Sequence, residues 1–364
     1  MKKIGIDARL YFQTGVGVYL NNFLYYLQKL APDEMLFYVY VMEQDASQVE
    51  ISNKLFTKRI VTSKWHTFSE QTVFYNSLMN DHLDLMHFTY FSYPVLYRRP
   101  FVATIHDITP LVHKTGRAST MPWLAYELKH AAFRYVLGSQ VKNAMTIITP
   151  TQWVKDQIIT IFGKKYEKKL LPIYEGVSYR LMQSSENLEL RHKFKKPFFL
   201  YVGNFYPHKN VDKLIEAFIK LDQNNIDLIL VGPDNYFADK MQSDVEQSGI
   251  ESIHFYHTGN MKDLVFFYKK AMALVNPSLS EGFGLPLVEA AYFDTPIIAS
   301  DLPVFHELLG DSYLTFDPKN VDDITEKLMT FLKNPQAFHY PDITKMFSFE
   351  DMTKKIIGVY SKIF

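Results

Sequence analysis

The sequence predicts an α/β protein built from two domains of strands and helices, and three observations lead to this fold class. The chain has 364 residues, which is the length of two domains of ordinary size. Short apolar runs, typical of buried strands, alternate with amphipathic stretches at helical spacing. A second series of strands and helices starts at Pro197, after a polar stretch. We therefore predict a first domain over residues 1–177, a linker over 178–196, a second domain over 197–347 and a terminal helix over 348–364.

Apolar runs and helix signals give the elements of the first domain in order. The predicted strands are Lys3–Asp7, Leu36–Met42, Arg59–Thr62, Asp84–Phe88, Pro100–Ile105 and Met145–Pro150. The predicted helices are Val18–Leu30, Glu70–Asn80, Trp123–Asn143 and Thr151–Phe162. Thr151 is a plausible N-cap, because its hydroxyl can accept from a free N–H of the first turn. This alternation is typical of an open α/β sheet.

The second domain repeats the pattern. Its predicted strands are Pro197–Val202, Asp227–Val231, Ile253–Tyr256, Ala271–Val275 and Pro296–Ala299. Its predicted helices are one after Asn210, Lys262–Met272, one that opens at Pro286, Val321–Leu332 and the terminal Ser348–Phe364. Pro286 suits a first helical turn, where its missing N–H costs nothing. Asp294 falls at a turn, where aspartate tolerates left-handed backbone.

Composition excludes several classes of protein and of site. The chain has no cysteine, so disulfides and thiolate metal sites are excluded. No uncharged apolar run reaches the roughly 18 residues that a membrane span needs, and no signal peptide is recognisable, so we expect a cytoplasmic protein. The net charge is zero, but residues 1–180 contain 21 Lys and Arg against 14 Asp and Glu. This excess indicates an anionic partner of the first half, unless the charge is unevenly scattered without purpose.

The most informative stretch is 276–289, Asn-Pro-Ser-Leu-Ser-Glu-Gly-Phe-Gly-Leu-Pro-Leu-Val-Glu. A strand that turns through glycines into a helix N-terminus is an anion site, because unpaired N–H groups and the helix dipole face the loop. Glu281 and Glu289 frame this turn, with seven residues between them. Carboxylates beside such a site suit hydroxyl donors, and therefore sugars. Alternatively, Glu289 is a favourable helix-start carboxylate and Glu281 a solvated loop residue.

Two further loops in the first half are candidates for ligand contact. Gly15 and Gly17 lie between the first strand and the first helix, where glycines let backbone approach a ligand. Their spacing is not the dinucleotide fingerprint, and a structural turn explains them as well. Arg9 on the same loop either meets an anionic acceptor or is a surface residue. His106 and Asp107 follow a predicted strand, where ligands of open α/β sheets gather. His106 is otherwise a structural histidine, and Asp107 either orients it or caps a turn.

The segment Glu-Gly-Phe-Gly-Leu-Pro-x-x-Glu resembles the signature of the retaining GT-B glycosyltransferases of family GT4, and the resemblance covers roughly the whole chain. It implies two Rossmann-like domains facing a central cleft, with a terminal helix that crosses back to the first domain. It implies that Glu281 contacts the donor sugar and Glu289 the ribose. The backbone that meets sugar and diphosphate is Gly282, Phe283, Gly284 and Leu285.

The same resemblance assigns the remaining sites. Gly15 and Gly17 border the acceptor and the donor sugar, and His106 lies by the donor sugar near the reacting carbon. Lys209 binds the diphosphate, and the loops at Gly232 and Gly259 surround the base. The family often has an arginine near Lys209, whereas this chain has Asn204 and His208 there. We expect these two residues at the donor site, with the diphosphate held by fewer formal charges or with help from His208. A solvated lysine is the alternative for Lys209.

The predicted function is transfer of a hexose, with retention, from a nucleotide sugar to a glycan or lipid-linked acceptor in bacterial surface polysaccharide synthesis. The first choice of donor is GDP-mannose, and a UDP-hexose is the second. His106, Lys209 and Glu281 are the expected catalytic residues, and Arg9 and Asp107 are acceptor candidates. No cofactor is expected, and no metal, since the sequence has no Asp-x-Asp. A non-catalytic nucleotide-sugar-binding module, a GT-B epimerase and a glycosidase with paired carboxylates are the other readings.

Aromatic and basic side chains suggest peripheral contact with an anionic membrane. The helix Trp123–Asn143 carries Tyr126, Phe133, Arg134 and Tyr135, and Lys164–Lys169 is a basic cluster. Surfaces of this composition dock on anionic lipid. A helix packed on the sheet, together with a solvated basic loop, explains the same residues.

Overall fold

The chain folds into two α/β units, each organised around one parallel sheet. The computed structural model describes residues 1–112, 123–336, 338–340 and 342–364. The first unit comprises Met1–Glu175 and Ser348–Phe364, and the second comprises Gly176–Phe347. The stretch expected as a linker contains two short helices, α6 (Tyr179–Gln183) and α7 (Leu190–Lys193).

Within the described residues, the first unit has a seven-stranded sheet whose recorded pairings are parallel. The strands are β1 (Lys2–Asp7), β2 (Met35–Met42), β3 (Phe56–Val61), β4 (Leu85–Phe88), β5 (Phe101–Thr104), β6 (Thr146–Thr149) and β7 (Leu170–Pro172). Their order in the sheet is β3-β2-β1-β4-β5-β6-β7. In register, Ile4 of β1 lies beside Phe37 of β2 and Leu85 of β4. Runs such as Leu85–Phe88 are wholly buried, as expected for parallel strands covered on both faces.

The helices of the first unit pack their apolar faces on this sheet or on one another. They are α1 (Val16–Leu30), α2 (Tyr75–Asn80), α3 (Thr109–Val112), α4 (Trp123–Asn143), α5 (Gln152–Phe162) and α15 (Phe349–Ile363). In α1 the buried Leu20, Phe23, Leu24 and Leu27 recur at helical spacing and form one face. The predicted cap of α5 is confirmed, because the side chain of Thr151 accepts from the N–H of Val154.

The predicted helix 70–80 begins differently from the expectation. Glu70–Phe74 forms a π-helical turn, and only Tyr75–Asn80 is α-helical. Glu70 is buried and its carboxylate contacts Arg9, so this turn presents an acidic side chain to the interior. Short π-helical segments of this kind occur frequently near functional sites.

The terminal helix α15 packs against α1 in the first unit, as the GT-B prediction requires. Tyr360 of α15 is fully buried, and its hydroxyl lies 2.6 Å from Nδ1 of His87. Nε2 of His87 lies 2.8 Å from the hydroxyl of Thr104. Burial, with His106 nearby, lowers the pKa of His87 to about 3, so the ring is neutral. The helix is therefore held to the sheet by a polar contact as well as by apolar packing.

The second unit has, within the described residues, a six-stranded sheet with parallel pairings. Its strands are β8 (Phe198–Val202), β9 (Asp227–Val231), β10 (Ile253–Tyr256), β11 (Ala273–Asn276), β12 (Ile297–Ser300) and β13 (Leu314–Phe316). Their order is β10-β9-β8-β11-β12-β13. The central position of β8 and β11 makes them neighbours, although about 70 residues separate them in the chain.

The helices of the second unit surround this sheet. Besides α6 and α7 they are α8 (Val211–Leu221), α9 (Tyr236–Gln247), α10 (Met261–Lys270), α11 (Leu285–Tyr292), α12 (Pro303–Leu309), α13 (Val321–Lys333) and α14 (Ile343–Met346). Asp294 has φ 55°, so the predicted left-handed turn after α11 is confirmed. Two sheets of parallel strands with intervening helices confirm the predicted pair of Rossmann-like domains. Among the helices of the described ranges, none combines the length and apolarity that a bilayer span requires.

Candidate functional site

The candidate site of the second unit lies where β8 and β11 end. Parallel strands present their carboxyl ends at one edge of the sheet, and ligands of α/β folds bind there. The loop after β8 carries Lys209, and the loop after β11 carries Glu281. Because β8 and β11 are neighbours in the sheet, these two loops lie side by side.

The glycine turn after β11 leads into α11 as predicted. Gly284 is the N-cap residue and has φ 105°, a left-handed value that glycine adopts without strain. A Cβ at Gly284 would also lie 3.0 Å from the ring of Phe305. Pro286 follows within the first turn of α11. Phe283 is buried and packs edge-on against Phe347, at 5.8 Å between ring centroids. The turn is therefore a rigid entry to a helix N-terminus, the geometry that favours an anion.

Lys209 and Glu281 form an ion pair at this edge. The Nζ of Lys209 lies 2.7 Å from Oε1 of Glu281, and the side chains are only 20% and 12% exposed. The hydroxyl of Ser278 donates to the same carboxylate oxygen at 2.8 Å. Glu281 is therefore not a solvated loop residue. The structure brings together the two charged residues that the resemblance assigned to diphosphate and sugar.

Backbone and side-chain contacts tie the two loops to each other. The N–H of Leu279 donates to the carbonyl of His208 at 2.8 Å. The buried amide of Asn210 donates to the carbonyls of Pro277, at 3.1 Å, and Pro318, at 2.8 Å. Asn210 itself has a left-handed φ of 59°, which asparagine adopts more readily than most residues. The spacing of Lys209 and Glu281 is thus set by a connected framework.

Glu289 lies inside the second unit on α11 and is not a simple helix-start carboxylate. Its residue is buried, and Oε2 accepts a hydrogen bond from the hydroxyl of Tyr268 at 2.7 Å. Burial raises the pKa of Glu289 to about 7, against the opposing effect of the Tyr268 hydrogen bond. A carboxyl that titrates near neutrality can accept from ribose hydroxyls when it is ionised.

The other residues expected at the donor site have individual surroundings. The backbone of Asn204 accepts from the hydroxyl of Tyr201, and the ring of His208 stacks on Tyr206 at 6.0 Å. A Cβ on Gly232 would come within 2.1 Å of the carbonyl of Gly203, so close packing of two backbones explains this glycine. A Cβ on Gly259 would meet nothing within 4 Å, so packing does not require glycine there.

In the first unit, both ring nitrogens of His106 have a hydrogen-bond partner. Nδ1 lies 3.0 Å from Oε1 of Glu175, and Nε2 lies 3.0 Å from the carbonyl of Thr89. The ring of Tyr19 packs edge-on at 4.7 Å. These contacts give each ring nitrogen a fixed partner and set the orientation of the imidazole. His106 is therefore oriented by Glu175, a residue to which the sequence assigned no site role.

Asp107 caps a turn and does not orient His106. Its Oδ1 accepts from the N–H of Thr109 at 2.8 Å, at the start of α3. This is one of the two roles expected from the sequence. Asp107 is partly exposed, and its acceptor role stays a prediction.

The expectation that Arg9 contacts an acceptor or lies on the surface is wrong. Arg9 is 1% exposed, and its guanidinium lies 2.7 Å from Asp7 and 2.7 Å from Glu70. A further N–H points to the carbonyl of Ser63. Burial alone would lower the pKa of Arg9, but the two carboxylates raise it above its ordinary value. The positive charge of Arg9 is neutralised by Asp7 and Glu70 inside the unit, because a buried guanidinium must be paired.

The glycines of the first loop have different reasons to be glycine. Gly15 has φ 65° and a Cβ there would meet nothing within 4 Å, so backbone conformation requires it. A Cβ on Gly17 would lie 2.7 Å from the carbonyl of Tyr11, so loop packing requires it. Both glycines lie at the start of α1, and His106 belongs to the same unit.

Four residues that support the site were not predicted from the sequence. They are Ser278, Asn210, Tyr268 and Glu175. Ser278 lies inside the stretch 276–289 and Asn210 directly follows Lys209, so a search for hydroxyl and amide partners of the charged residues could have found them. Tyr268 and Glu175 contact residues that lie 21 and 69 positions away, so no local signal marks them.

Comparison with known proteins finds glycosyltransferases. Residues 184–343 match the family described as "Glycosyl transferases group 1". The O-antigen chain mannosyltransferase RfbU of Salmonella typhimurium is 28% identical over 310 residues, covering 85% of this chain and 82% of that protein.

Solved structures show the same fold. Sucrose-phosphate synthase of Thermosynechococcus elongatus aligns with a TM-score of 0.79 at 16% identity, covering 100% of this chain and 99% of the other. Anabaena Alr3699/HepE, in complex with UDP and glucose, aligns with a TM-score of 0.75 at 15% identity, covering 100% of both chains. With the signature loop and the two Rossmann-like units, these matches support the assignment of the chain to the group 1 glycosyltransferases of the GT-B fold.

Proposed function

We propose that this enzyme transfers a hexose from a nucleotide diphosphate sugar to a glycan or lipid-linked glycan, with retention at the anomeric carbon. One observation carries the proposal. A cation, a carboxylate and a helix N-terminus meet at the edge of one sheet, in Lys209, Glu281 and the Gly284 turn. This set matches the chemical parts of the donor, because a diphosphate needs positive charge and a sugar needs hydroxyl acceptors.

The diphosphate is assigned to Lys209 and to the backbone at Gly282, Phe283, Gly284 and Leu285. As the bond to the sugar breaks, negative charge grows on the departing diphosphate. A lysine and a helix dipole aimed at that charge stabilise the transition state more than the ground state. Lys209 is held in a partly buried setting, where its charge is screened less than at an open surface.

The nucleoside and the sugar are assigned to the two carboxylates. Glu289 would accept from the ribose hydroxyls through its ionised form, and Glu281 from the hexose hydroxyls. The loops at Gly232 and Gly259 follow β9 and β10 at the same sheet edge and would line the base. Asn204 and His208 belong to the loop after β8 and would border the diphosphate.

In the first unit, His106 would contact the sugar near the reacting carbon, with Gly15 and Gly17 bordering it. Glu175 would act as a positioning residue, because it holds one ring nitrogen of His106. The departing phosphate would take the proton of the acceptor hydroxyl, so no side chain is assigned as general base. The enzyme is proposed to need no metal, and transfer that survives a chelator would support this.

Mannose from GDP-mannose is the first choice of donor, since the chain resembles a protein named as an O-antigen chain mannosyltransferase. By the same likeness, the acceptor is proposed to be a growing surface polysaccharide. A UDP-hexose is the second choice, because the structurally similar HepE was solved with UDP and glucose. These choices differ in nucleotide base, so binding can separate them.

Peripheral attachment to the inner face of an anionic membrane completes the proposal. On α4, Leu128 and Tyr135 are 65% and 67% exposed and lie seven positions apart, which places them on one helix face. Lys129 and Arg134 on the same helix are exposed. Of the basic cluster, Lys169 instead donates to the carbonyls of Lys142 and Ala144 at the end of α4, which is a structural role. Vesicle flotation tests this part, and binding that ignores anionic lipid would refute it.

The decisive experiment is a thermal-shift screen with GDP, UDP, ADP and their hexose derivatives, followed by NMR of the transfer product. A ligand that binds the folded state raises the melting temperature. GDP and GDP-mannose are expected to give the largest shifts, and the new glycosidic bond should keep the α configuration of the donor. No shift with any nucleotide, or a product of inverted configuration, would contradict the proposal.

A further inference from the structure

The two charged residues proposed to bind different parts of the donor are bound to each other in the structure. Lys209 Nζ lies 2.7 Å from Glu281 Oε1, and the same oxygen accepts from Ser278 at 2.8 Å. Glu281 takes the place that a phosphate would occupy, since it gives the lysine an anionic oxygen at contact distance. Partial burial makes this contact stronger than an exposed ion pair.

The backbone under this pair is held in place from several directions. Leu279 donates to His208, and Asn210 reaches both Pro277 and Pro318. The N–H of Ser278 donates to the side chain of Asn276 at 3.1 Å. With the two loops tied together, Lys209 and Glu281 can separate by rotation of their own side chains, and no loop movement is needed.

The pairing creates a conflict that a donor must resolve. A diphosphate arriving at Lys209 meets the carboxylate of Glu281, and the two anions repel at close range. A full nucleotide sugar brings hydroxyl donors that give Glu281 new partners. A bare nucleoside diphosphate has no hexose, and its ribose hydroxyls are assigned to Glu289, so Glu281 loses the lysine without gaining a new partner.

We propose that the Glu281 carboxylate occupies the phosphate-binding position at Lys209 until the nucleotide sugar binds, and that Ser278 holds it there. On binding, Lys209 exchanges Glu281 for the diphosphate, and Glu281 exchanges Lys209 for the hexose hydroxyls. The exchange couples recognition of the diphosphate to recognition of the hexose. It also weakens retention of the nucleoside diphosphate product, because Glu281 competes for Lys209 once the sugar has left. This inference rests on the proposed function, since it assumes that a diphosphate binds at Lys209.

The coupling predicts an affinity change of unusual direction. Glu281→Gln removes the negative charge but keeps an oxygen for Ser278, so the loop framework is preserved. The variant should bind a nucleoside diphosphate more tightly than the wild type, by about five- to tenfold, which corresponds to a partly buried ion pair of about 1 kcal/mol or slightly more. Ser278→Ala leaves the charge but frees the carboxylate, so it should tighten binding in the same direction and by less.

The test is calorimetric titration of the full chain with GDP, UDP and ADP and with the matching monophosphates. The variants are Glu281→Gln, Ser278→Ala, Lys209→Met and the double variant Lys209→Met/Glu281→Gln. Glu216→Gln is the matched control, because Glu216 pairs with Lys213 at 2.7 Å on the surface of the same unit. Tighter diphosphate binding by Glu281→Gln, with no gain in the Lys209→Met background and none for Glu216→Gln, is the expected result.

Two outcomes would overturn the inference, and they are distinguishable. If a diphosphate binds the wild type but Glu281→Gln binds it equally or more weakly, the exchange is wrong and the proposed function stands. A gain that persists without Lys209 has the same meaning, because the competition would then not involve this lysine. If no nucleoside diphosphate binds the wild type or any variant, the inference falls together with the proposed function.

Discussion

Glu289 provides a sharp prediction because its environment ties nucleotide binding to pH. The perturbation is a change from about pH 8 to about pH 5.5, in the wild type and in Glu289→Gln. The carboxyl is buried beside Tyr268, and its pKa is raised to about 7. An ionised carboxylate accepts stronger hydrogen bonds from ribose hydroxyls than the neutral acid does, so we expect nucleotide affinity to fall as the pH falls through this range.

The size of the effect follows from the pKa. At a pKa of about 7, the ionised fraction drops from about nine-tenths at about pH 8 to about three-hundredths at about pH 5.5. If the ionised form alone binds ribose, the apparent affinity should fall about thirtyfold. The apparent affinity should begin to fall at about pH 7 and continue to fall below it.

The same pKa shift has an opposite consequence for stability. The folded protein holds a proton on Glu289 that the unfolded chain releases, since the pKa is raised from 4.5 to about 7. Glu289 therefore favours the folded state least at high pH, and stability is lost as the pH rises from about 4.5 to about 7. The cost is about 3 kcal/mol at about 1.4 kcal/mol per pKa unit, so Glu289→Gln should be more stable than the wild type at about pH 8.

The assay is titration with the nucleotide sugar that the thermal-shift screen selects, at several pH values. The nucleotide sugar is the right probe, because its diphosphate is esterified at both ends and does not titrate in this range. A 2′,3′-dideoxy analogue serves as the ligand control and should show little pH dependence. Equal pH dependence for the normal and dideoxy ligands, or a pH profile unchanged in Glu289→Gln, would refute the ribose assignment.

Three further changes test other parts of the account. Lys209→Ala should weaken a nucleoside diphosphate by about ten- to a hundredfold but leave the nucleoside unaffected, as lost charge-assisted bonds imply; equal loss for both ligands in calorimetry would contradict the phosphate role. Arg9→Met should destabilise the first unit by about 3–5 kcal/mol, because it leaves Asp7 and Glu70 buried without a cation; an unchanged urea midpoint would contradict this. Gly284→Ala should cost about 1–3 kcal/mol of stability and weaken donor binding, because alanine is strained at φ 105° and its Cβ would crowd the Phe305 ring; a variant with wild-type melting and affinity would show that this position does not require glycine.

The strands could be read from the sequence because parallel strands buried on both faces are continuous apolar runs. Asp227–Val231 and Ile253–Tyr256 have the predicted bounds. Elements without such runs were missed. Leu314–Phe316 has only three residues, and Tyr236–Gln247 is largely polar, so neither contains a long apolar run. The π-helical turn at Glu70, whose side chain pairs with Arg9 61 residues away, was predicted as ordinary helix.

In the candidate site, too, local features could be predicted from the sequence and long-range contacts could not. The glycine turn, the helix start at Leu285 and the left-handed Asp294 follow from local sequence, because φ preferences and capping are local properties. The pairings of Lys209 with Glu281 and of His106 with Glu175 span 72 and 69 residues. They depend on which strands become neighbours, and no spacing rule reveals that. The error at Arg9 has this origin, since its partner Glu70 is distant in sequence.

The most direct test of the central claim is a crystal structure with the nucleotide sugar that the screen selects. A diphosphate oxygen is expected within about 3.2 Å of Lys209 Nζ, with the ribose hydroxyls on Glu289. Glu281 should then face the hexose and no longer contact Lys209. Density for the nucleotide away from the loops that follow β8 and β11, with the Lys209–Glu281 pair intact, would contradict the account.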